Sequence, residues 1–319
     1  MYKRIFLSIV LIIHFNCFCQ IDLDLIFESD EKVTNIISYE DNIYFSTYNT
    51  SGDKRKVILY KLKGKEKVEI FCSDGYPINF IETSEALFFT TFDFSFNDRV
   101  YRITKDDKCK LFFESLKGQL RDIHYINKDS LLVCGNFNYL ERDNFFISNL
   151  NGDLTPFLLK DCPRIFKIIG VNTNEFLLNT SEGIYTLEKS DFTLKNKKEG
   201  NYSIYQEGDY YGIHKVSHDS VRRFNIYNSS HELIFSKDLR EIKGFKFYDY
   251  GETRNSISLI QKSYSKQKIM IEYFDFKNSF VKLFCTKEFS NIKVIYVLNR
   301  NVFVIDERAS KYYIYSGKF

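Results

Sequence analysis

The chain has 319 residues, of which 44% are hydrophobic and 27% are charged, and its formal net charge is +3. This balance is typical of a globular protein, and it excludes a disordered chain or one with several membrane spans. Aromatic residues make up 17%, from 32 Phe and 23 Tyr without any Trp, whereas Ala occurs only at Ala86 and Ala309. Because Ala is the best helix former and aromatic residues favour strands, the composition predicts an all-β fold.

Residues 1–19 have the order of a secretory signal peptide. Lys3 and Arg4 precede the apolar run IFLSIVLII, which is too short to span a bilayer. Cys17 and Cys19 stand at the two small-residue positions before a cut at Gln20. The segment resembles signal peptides of the Bacteroidetes, many of which are cut before a Gln. The sequence therefore predicts a signal peptide over 1–19, a single mature domain over 20–319, and a periplasmic or secreted protein.

Lipidation is the weaker alternative at this end of the chain. The residues before Cys17 and before Cys19 lack the Leu and the small residues of a lipobox. No later apolar run reaches the length of a membrane span, so the mature chain is not expected to cross a membrane.

Charge argues against a nucleic-acid partner. Without Lys3 and Arg4, 43 basic and 42 acidic residues remain, for a net charge of +1. A nucleic-acid binder usually has a clear basic excess or stripe. The densest basic stretch, at 54–67, alternates with apolar residues and is typical of a half-exposed strand with a solvated face.

The cysteines do not form a recognisable framework. Five remain after the predicted cut, an odd number without a CxxC pair, which does not indicate a set of disulfides or a metal site. Cys72 and Cys285 end the similar apolar strands VEIFC and VKLFC, and both are predicted to be small buried residues. The other three are Cys109, Cys134 and Cys162.

A repeat of about 43 residues organises the mature chain. In each unit a polar turn residue is followed by an apolar strand, and the intervals between these turn residues are 43, 45, 45, 34, 46 and 46. Each of the seven units has an opening strand, the strand after the turn, and a third strand, and six units have a fourth. The turn residues are Asn42, Glu85, Ser130, Glu175, Asp209, Asn255 and Asn301.

The missing fourth strand indicates a closed ring. Unit seven stops after its third strand, while the chain begins with IDLDLIFES over 21–29, which matches the fourth-strand segment LFFES over 111–115. An N-terminal strand that completes the last unit closes the ring and protects the edges of its sheets. The sequence therefore predicts a seven-bladed β-propeller of four-stranded antiparallel blades. Six or eight blades remain alternatives because unit four is short.

The whole of 21–319 resembles a β-propeller. Within it, NIYFST (42–47) followed by ILYKLKG (58–64) is similar to a blade of the YWTD type, although this chain has no Trp. The resemblance implies the fold and transfers no functional residue. Aromatic rings are expected to fill the gaps between neighbouring blades.

Signatures of catalysis and of cofactor binding are missing from the sequence. It contains no G-x-S-x-G, no P-loop, no G-x-G-x-x-G and no EF-hand pattern, so no cofactor and no metal site are predicted. Its mature His residues, including His124 and His231, are expected to be structural or at the surface. Glu141 and Asp143 in the loop NYLERD are the candidate catalytic acids of the alternative function, a periplasmic polysaccharide hydrolase or lyase.

The loops between second and third strands carry the predicted binding site. In a propeller these loops share one face, and in units one to three they are rich in aromatic residues and Arg, a composition typical of interaction surfaces. The sequence therefore predicts a monomeric, non-enzymatic binding or scaffold protein of the cell envelope for a protein, peptide or glycan, with a purely structural role as a further alternative. The competing interpretation is that the rings fold back onto neighbouring blades. The candidate binding residues are Tyr48, Phe92, Phe94, Arg99, Phe137, Tyr139 and Arg142.

Overall fold

The computed structural model describes residues 18–49, 55–83, 85–92, 98–114, 118–137, 143–157, 159, 162–200, 202–207, 210–215, 222–239, 246–250, 258–263, 268–275, 279–285, 287–298 and 301–318. Within these ranges the chain forms 29 strands and no helix, as the composition predicts. The strands are arranged in seven sheets, numbered here one to seven in the chain order of their opening strands.

The first strands are β1 (Phe18–Ile21) and β2 (Asp24–Ser29). Sheet one contains β3 (Lys32–Tyr39), β4 (Asn42–Asn49), β5 (Lys56–Lys63) and β6 (Glu66–Asp74). Sheet two contains β7 (Tyr76–Glu82), β8 (Leu87–Phe92), β9 (Asp98–Ile103) and β10 (Cys109–Glu114). Sheet three contains β11 (Gly118–Asn127), β12 (Ser130–Phe137), β13 (Asp143–Asn149) and β14 (Leu154–Phe157). Sheet four contains β15 (Ile165–Gly170), β16 (Glu175–Thr180), β17 (Gly183–Glu188) and β18 (Leu194–Glu199).

Sheet five contains β19 (Tyr202–Glu207), β20 (Tyr210–Lys215), β21 (Arg222–Asn228) and β22 (Leu233–Leu239). Sheet six contains β23 (Lys246–Tyr250), β24 (Ser258–Ser263), β25 (Lys268–Asp275) and β26 (Ser279–Cys285), and it also receives β1. Sheet seven contains β27 (Ile292–Leu298), β28 (Asn301–Arg308) and β29 (Lys311–Lys318), together with β2.

Sheet seven combines β2, from the N-terminal part of the chain, with the last three described strands. β2 pairs antiparallel with β29, which places Leu25 opposite Tyr315. The sequence predicts one strand over the N-terminal segment 21–29, and in this respect it is wrong, because the structure divides the segment. β1 runs parallel to β26 and adds a fifth strand to sheet six. The chain changes sheets between them, where Ile21 and Leu23 are buried in the core that sheets six and seven share.

A β-bulge recurs near the start of the opening strands. It interrupts the register of the opening strand against the second strand in six of the seven sheets, sheet five being the exception among the described residues. In sheet one the bulge lies between Val33 and Asn35, and in sheet two between Pro77 and Asn79. A bulge increases the local twist of a strand, so its repetition gives these sheets the same shape.

Buried hydrophobic side chains lie between neighbouring sheets. One cluster joins sheets seven, one and two, and four others join two with three, three with four, four with five, and six with seven. Aromatic rings fill several of these junctions, as expected. The ring centroids of Phe27 and Phe45 are 5.3 Å apart between sheets seven and one, and those of Phe71 and Tyr101 are 4.3 Å apart between sheets one and two.

The cysteines of the described residues are free thiols. Cys285 is buried, as predicted, but the prediction for Cys72 is wrong because its side chain is exposed. Cys72 lies on β6, the outer strand of sheet one, which has a neighbour on one side only. An apolar strand pattern therefore does not ensure burial at the edge of a sheet.

Candidate functional site

Second strands end and third strands begin at one end of the sheets, which we call the loop face. In sheets one and two, Tyr48 is the cross-strand neighbour of Val57, and Phe92 that of Asp98. The opening strand of sheet two begins at the same end, because Tyr76 pairs with Phe92. The predicted shared face is therefore present in these two sheets.

Three of the seven predicted binding residues have side chains that the structure describes. Tyr48 is the penultimate residue of β4, Phe92 ends β8, and Arg99 is the second residue of β9. All three stand at the loop face. Tyr48 is 9% exposed, while Phe92 and Arg99 are half-buried.

The other candidates are described in part or not at all. Phe137 and the candidate catalytic acid Asp143 are paired across β12 and β13, and only their backbone is described. The alternative of a hydrolase or lyase therefore remains a prediction from the sequence. The residues outside the described ranges are Phe94, Tyr139, Glu141 and Arg142.

Tyr48 crosses from sheet one to sheet two and packs there against Tyr76. Their ring centroids are 4.9 Å apart, with an angle of 30° between the rings. The guanidinium carbon of Arg55 lies 5.1 Å from the centroid of the Tyr76 ring, as in a cation–π contact. We call these three residues the Tyr48 cluster. The ring of Tyr48 therefore packs against the next sheet, while Arg55 of the cluster is exposed at the loop face.

The hydroxyl of Tyr48 is buried and has no hydrogen-bond partner among the described residues. Burial raises the pKa of Tyr48, and the positive charge of Arg55 opposes this shift. A buried hydroxyl without a partner costs roughly 1–3 kcal/mol of stability. The Tyr48 cluster therefore contains a hydrogen-bond donor for which the described part of the chain supplies no acceptor.

On the opposite side of β4, three side chains bind the carboxylate of Glu31. Thr47 Oγ1 donates to Glu31 Oε2 at 2.9 Å, and Tyr60 Oη donates to the same oxygen at 3.2 Å. Lys67 Nζ lies 3.3 Å from that oxygen and 4.3 Å from the centroid of the Tyr60 ring. Two hydroxyls and one cation next to an aromatic ring therefore bind one carboxylate between sheets seven and one.

Two buried aspartates have structural roles. Asp98 is fully buried, and its Oδ2 accepts a 2.6 Å hydrogen bond from the amide of Leu120, which ties sheet two to sheet three. Asp306 is also fully buried and accepts from the amide of Asn291 at 2.6 Å and from Arg308 Nε at 2.7 Å. Buried carboxylates that accept hydrogen bonds from backbone amides and a guanidinium hold strands in place.

His124 is a structural residue, as the sequence predicts. Its Nε2 donates to the carbonyl of Ile168 on sheet four at 2.7 Å and lies 3.2 Å from Asp122 Oδ2. Burial lowers the pKa of His124 to about 3. The side chain is therefore a neutral imidazole at physiological pH, and it joins two neighbouring sheets.

A second histidine lies at the end of the sheets opposite the loop face. His231 is in the turn between β21 and β22 of sheet five, and its Nε2 lies 2.7 Å from Oε2 of Glu175, the first residue of β16 in sheet four. The other ring nitrogen lies 2.6 Å from Tyr211 Oη. Asn172 Nδ2 donates to the same Glu175 oxygen at 3.1 Å. These contacts form a polar joint between the two sheets.

We expect Glu175→Gln to reduce the free energy of unfolding by about 0.5–1.5 kcal/mol at pH 7. The hydrogen bond from His231 is the main reason why the pKa of Glu175 is lowered. Because the pKa of Glu175 is lower in the folded state, its carboxylate stabilises the fold at pH values above the unfolded pKa of about 4.3. This stabilisation is lost as the pH falls through the folded pKa. Urea unfolding from pH 3 to pH 8 measures the effect.

The control for this variant is Glu85→Gln, which replaces an exposed glutamate two residues before β8, the second strand of sheet two. The difference between wild type and Glu175→Gln should shrink below about pH 4, and the control should follow the wild type at every pH. A difference that is independent of pH would contradict the assigned role of the Glu175 carboxylate.

The sequence does not single out Arg55, Tyr76 or Glu175 for these contacts. Arg55 belongs to the basic stretch that the sequence assigns to a solvated face. Tyr76 directly follows Gly75, which has a φ of 124°, at the start of an opening strand. An aromatic residue at a strand start beside the loop face is the signal that could have identified Tyr76.

Within the described ranges, no three His, Cys, Asp or Glu side chains are grouped so that they could hold a metal ion. No helix long and apolar enough to cross a membrane occurs in that part of the chain.

Solved structures share this architecture. The Cps50 (Swd1) β-propeller domain from Myceliophteria thermophila aligns with a TM-score of 0.60 and 9% identity, over 92% of this chain and 99% of that one. The WD40 domain of Toxoplasma gondii coronin aligns with a TM-score of 0.54 and 8% identity, over 93% and 88%. The fold is a β-propeller. An uncharacterised protein from Listeria monocytogenes also aligns with this propeller, with a TM-score of 0.58 and 11% identity, over 92% and 97%.

These likenesses concern the fold alone, because the identities are too low to carry residue roles. No protein-family model matches the chain, and no curated protein matches its sequence. The Tyr48 cluster lies between two neighbouring sheets at the loop face of the propeller, and the joint of Glu175 with His231 lies between two others at the opposite end.

Proposed function

We propose that this propeller is a non-enzymatic binding or scaffold protein of the cell envelope, and that the loop face of sheets one to three binds a protein, peptide or glycan. The observation that carries the proposal is the Tyr48 cluster, in which the exposed side chain of Arg55 lies over the ring of Tyr76 at that face. Tyr and Arg are the residue types that dominate binding energy at interfaces.

We also infer that the seven sheets are the blades of one seven-bladed ring that functions as a monomer. Support comes from β2, the N-terminal strand that completes sheet seven, and from the core cluster that joins sheets seven, one and two. A ring closed in this way presents two ends, and one of them is the loop face.

The proposed location is the periplasm or the cell exterior, after removal of residues 1–19. A cut before Gln20 would leave two of the four residues of β1, and it would retain the buried side chains of Ile21 and Leu23. The core between sheets six and seven is therefore compatible with the proposed processing. Sequencing the N terminus of the mature protein tests the cut before Gln20. A mature chain that begins with a lipidated Cys17 or Cys19 would instead identify a lipoprotein.

A pair of charge reversals tests the loop face. We expect Arg55→Glu combined with Arg99→Glu to abolish chemical cross-linking of the purified protein to its partner in an envelope fraction from the source cells. Arg55 contacts Tyr76 at that face, and Arg99 is the second residue of β9, which begins there. The matched control is Lys65→Glu with Lys128→Glu, which makes the same change in charge at exposed turns at the opposite end of sheets one and three. Loss of cross-linking in the control, or retention in the loop-face variant, would argue against the proposed face.

A further inference from the structure

We propose that a line of residues at the loop face binds an acidic peptide segment that also carries an apolar side chain. This inference rests on the proposed function, because it names the part of the loop face that binds and the chemistry that it recognises, and it extends the site to sheet four. In sheets one to four the β-bulge adds one residue to the opening strand, close to the loop face where that strand begins. We call the added residues the bulge arc, and they are Thr34, Ile78, Arg121 and Phe166.

Hydrogen bonds next to the bulge arc join each of these sheets to the next one. Asn35 Nδ2 donates to the carbonyl of Ile78 at 3.4 Å, which connects sheets one and two. The amide of Leu120, directly before the added residue of sheet three, donates to sheet two at 2.6 Å. The amide of Ile168, two residues after the added residue of sheet four, donates to Asp122 Oδ2 of sheet three at 3.4 Å. The bulge arc therefore follows one line across four neighbouring sheets.

Two large apolar side chains of the bulge arc are open to solvent. Ile78 is 39% exposed and Phe166 is 44% exposed, whereas Ile165, directly before Phe166, is fully buried. A bulge interrupts the alternation of buried and exposed side chains along a strand, which explains why these apolar residues are outside the core. A ligand reaches both side chains from the surface. Their burial under a partner removes apolar area from water and stabilises the complex.

The bulge arc is positively charged. Within two residues of its members along the chain, the acid is Asp122 and the cations are Lys32, Arg121, Arg164 and Lys167. Asp122 is 4% exposed and accepts hydrogen bonds from amides of sheets three and four. Lys32 and Arg164 are exposed and form no ion pair with the described residues. The exposed acid Asp74 at the same face lies further out, on the outer strand of sheet one. Negative charge on a partner is therefore attracted to this line.

Arg164 and Phe166 place a charged and an apolar contact side by side. The guanidinium carbon of Arg164 lies 5.9 Å from the centroid of the Phe166 ring, and both side chains are exposed. An acidic side chain that binds this guanidinium therefore brings the next residues of its peptide to an apolar ring.

A peptide fits the bulge arc better than an acidic sugar chain does. Ile78 and Phe166 have no polar group that could bind the hydroxyls of a sugar. The hydroxyl of Thr34 lies 2.9 Å from that of Ser46 and is already used within the protein. The exposed groups of the arc are therefore apolar surface and cations, which match apolar and acidic side chains.

Binding of designed peptides tests the inference. The probe is a fluorescently labelled peptide of Glu-Glu-Phe repeats, and its competitors are peptides of Glu-Glu-Gly and Lys-Lys-Phe repeats and polygalacturonate, an acidic sugar chain. We expect the probe to bind the wild-type protein in fluorescence anisotropy, and each competitor to bind at least about tenfold more weakly. Phe166→Ala and Arg164→Glu should each weaken binding of the probe about tenfold.

Matched controls make the same kinds of change away from the bulge arc. Leu111→Ala shortens an apolar side chain that is 53% exposed on β10, the outer strand of sheet two. Lys128→Glu reverses an exposed charge at the end of sheet three opposite the loop face. We expect both controls to bind the probe as the wild type does. Because Phe166 and Arg164 are exposed, their variants should keep the melting temperature of the wild type, which thermal unfolding checks.

Three results would overturn the inference. The first is a probe that does not bind, and the second is binding that Phe166→Ala and Arg164→Glu leave unchanged in folded proteins. The third is a competitor that binds as tightly as the probe, and if this is polygalacturonate the surface belongs to an acidic glycan. In each case the proposed function would stand if the reversal of Arg55 and Arg99 still abolished cross-linking to the envelope partner, so the two failures can be told apart.

Discussion

Replacement of Leu23 by Ala is expected to lower the free energy of unfolding by about 2–5 kcal/mol, the usual range for loss of a fully buried leucine. Leu23 is 4% exposed and lies in the core between sheets six and seven, where the N-terminal segment passes from one sheet to the other. Its carbonyl accepts a 3.0 Å hydrogen bond from Lys287 Nζ. Urea unfolding of the purified protein measures the loss.

Leu25 supplies the matched control on the same segment. It is 45% exposed on β2, so Leu25→Ala removes the same atoms from a side chain that buries much less of its surface. We expect a loss of less than about 1 kcal/mol for this variant. Equal losses for the two variants would show that the N-terminal crossover does not depend on the burial of Leu23.

The repeat and the strands of the propeller could be predicted because their signals are local. A polar turn followed by alternating apolar residues is readable within ten residues, and four of the turn residues, Asn42, Ser130, Glu175 and Asn301, are the first residues of second strands. The division of the N-terminal segment could not be predicted in this way. It depends on parallel pairing of Gln20 with Phe284, which lies far away in the sequence, and no local pattern encodes that choice.

The sequence could predict which end of the sheets Tyr48 and Arg99 occupy, but it could not predict which side chains they contact. Tyr48 and Arg99 were identified because they flank the loops of units one and two. The contacts of Tyr76 with Tyr48 and with Arg55 depend on how two sheets pack, and sequence spacing does not determine side-chain distances between sheets. The recurrent bulge was missed for a similar reason, since no shared residue type marks it.

In two of the turns between third and fourth strands, a residue with positive φ contacts the preceding sheet. In sheet two, Asp107 has a φ of 61° and binds Lys61 of sheet one at 2.7 Å. In sheet five, His231 has a φ of 64° and contacts Glu175 of sheet four. The turn residue with positive φ thus reaches back to the preceding sheet in both cases. These residues differ in type and share a backbone conformation, so the rule is visible only in the structure.

Gly152 occupies the same turn in sheet three, and Gly152→Ala is expected to cost at least about 3 kcal/mol of stability. Its φ of +91° disfavours any side chain, and an added Cβ would overlap the carbonyl oxygen of Phe112 in sheet two. Because that oxygen belongs to the backbone, the clash can be relieved only by moving two sheets apart. Thermal and urea unfolding measure the loss.

Gly64→Ala, in the corresponding turn of sheet one, is the control that introduces backbone strain without a clash. Its φ is +62°, and a Cβ there would meet no atom within 4 Å. Gly64→Ala should therefore cost only about 1–2 kcal/mol, the strain of a left-handed residue. The excess loss in Gly152→Ala measures how closely sheet three approaches sheet two. Similar losses in both variants would mean that sheets two and three can separate easily at this junction, contrary to the close approach of Gly152 to Phe112.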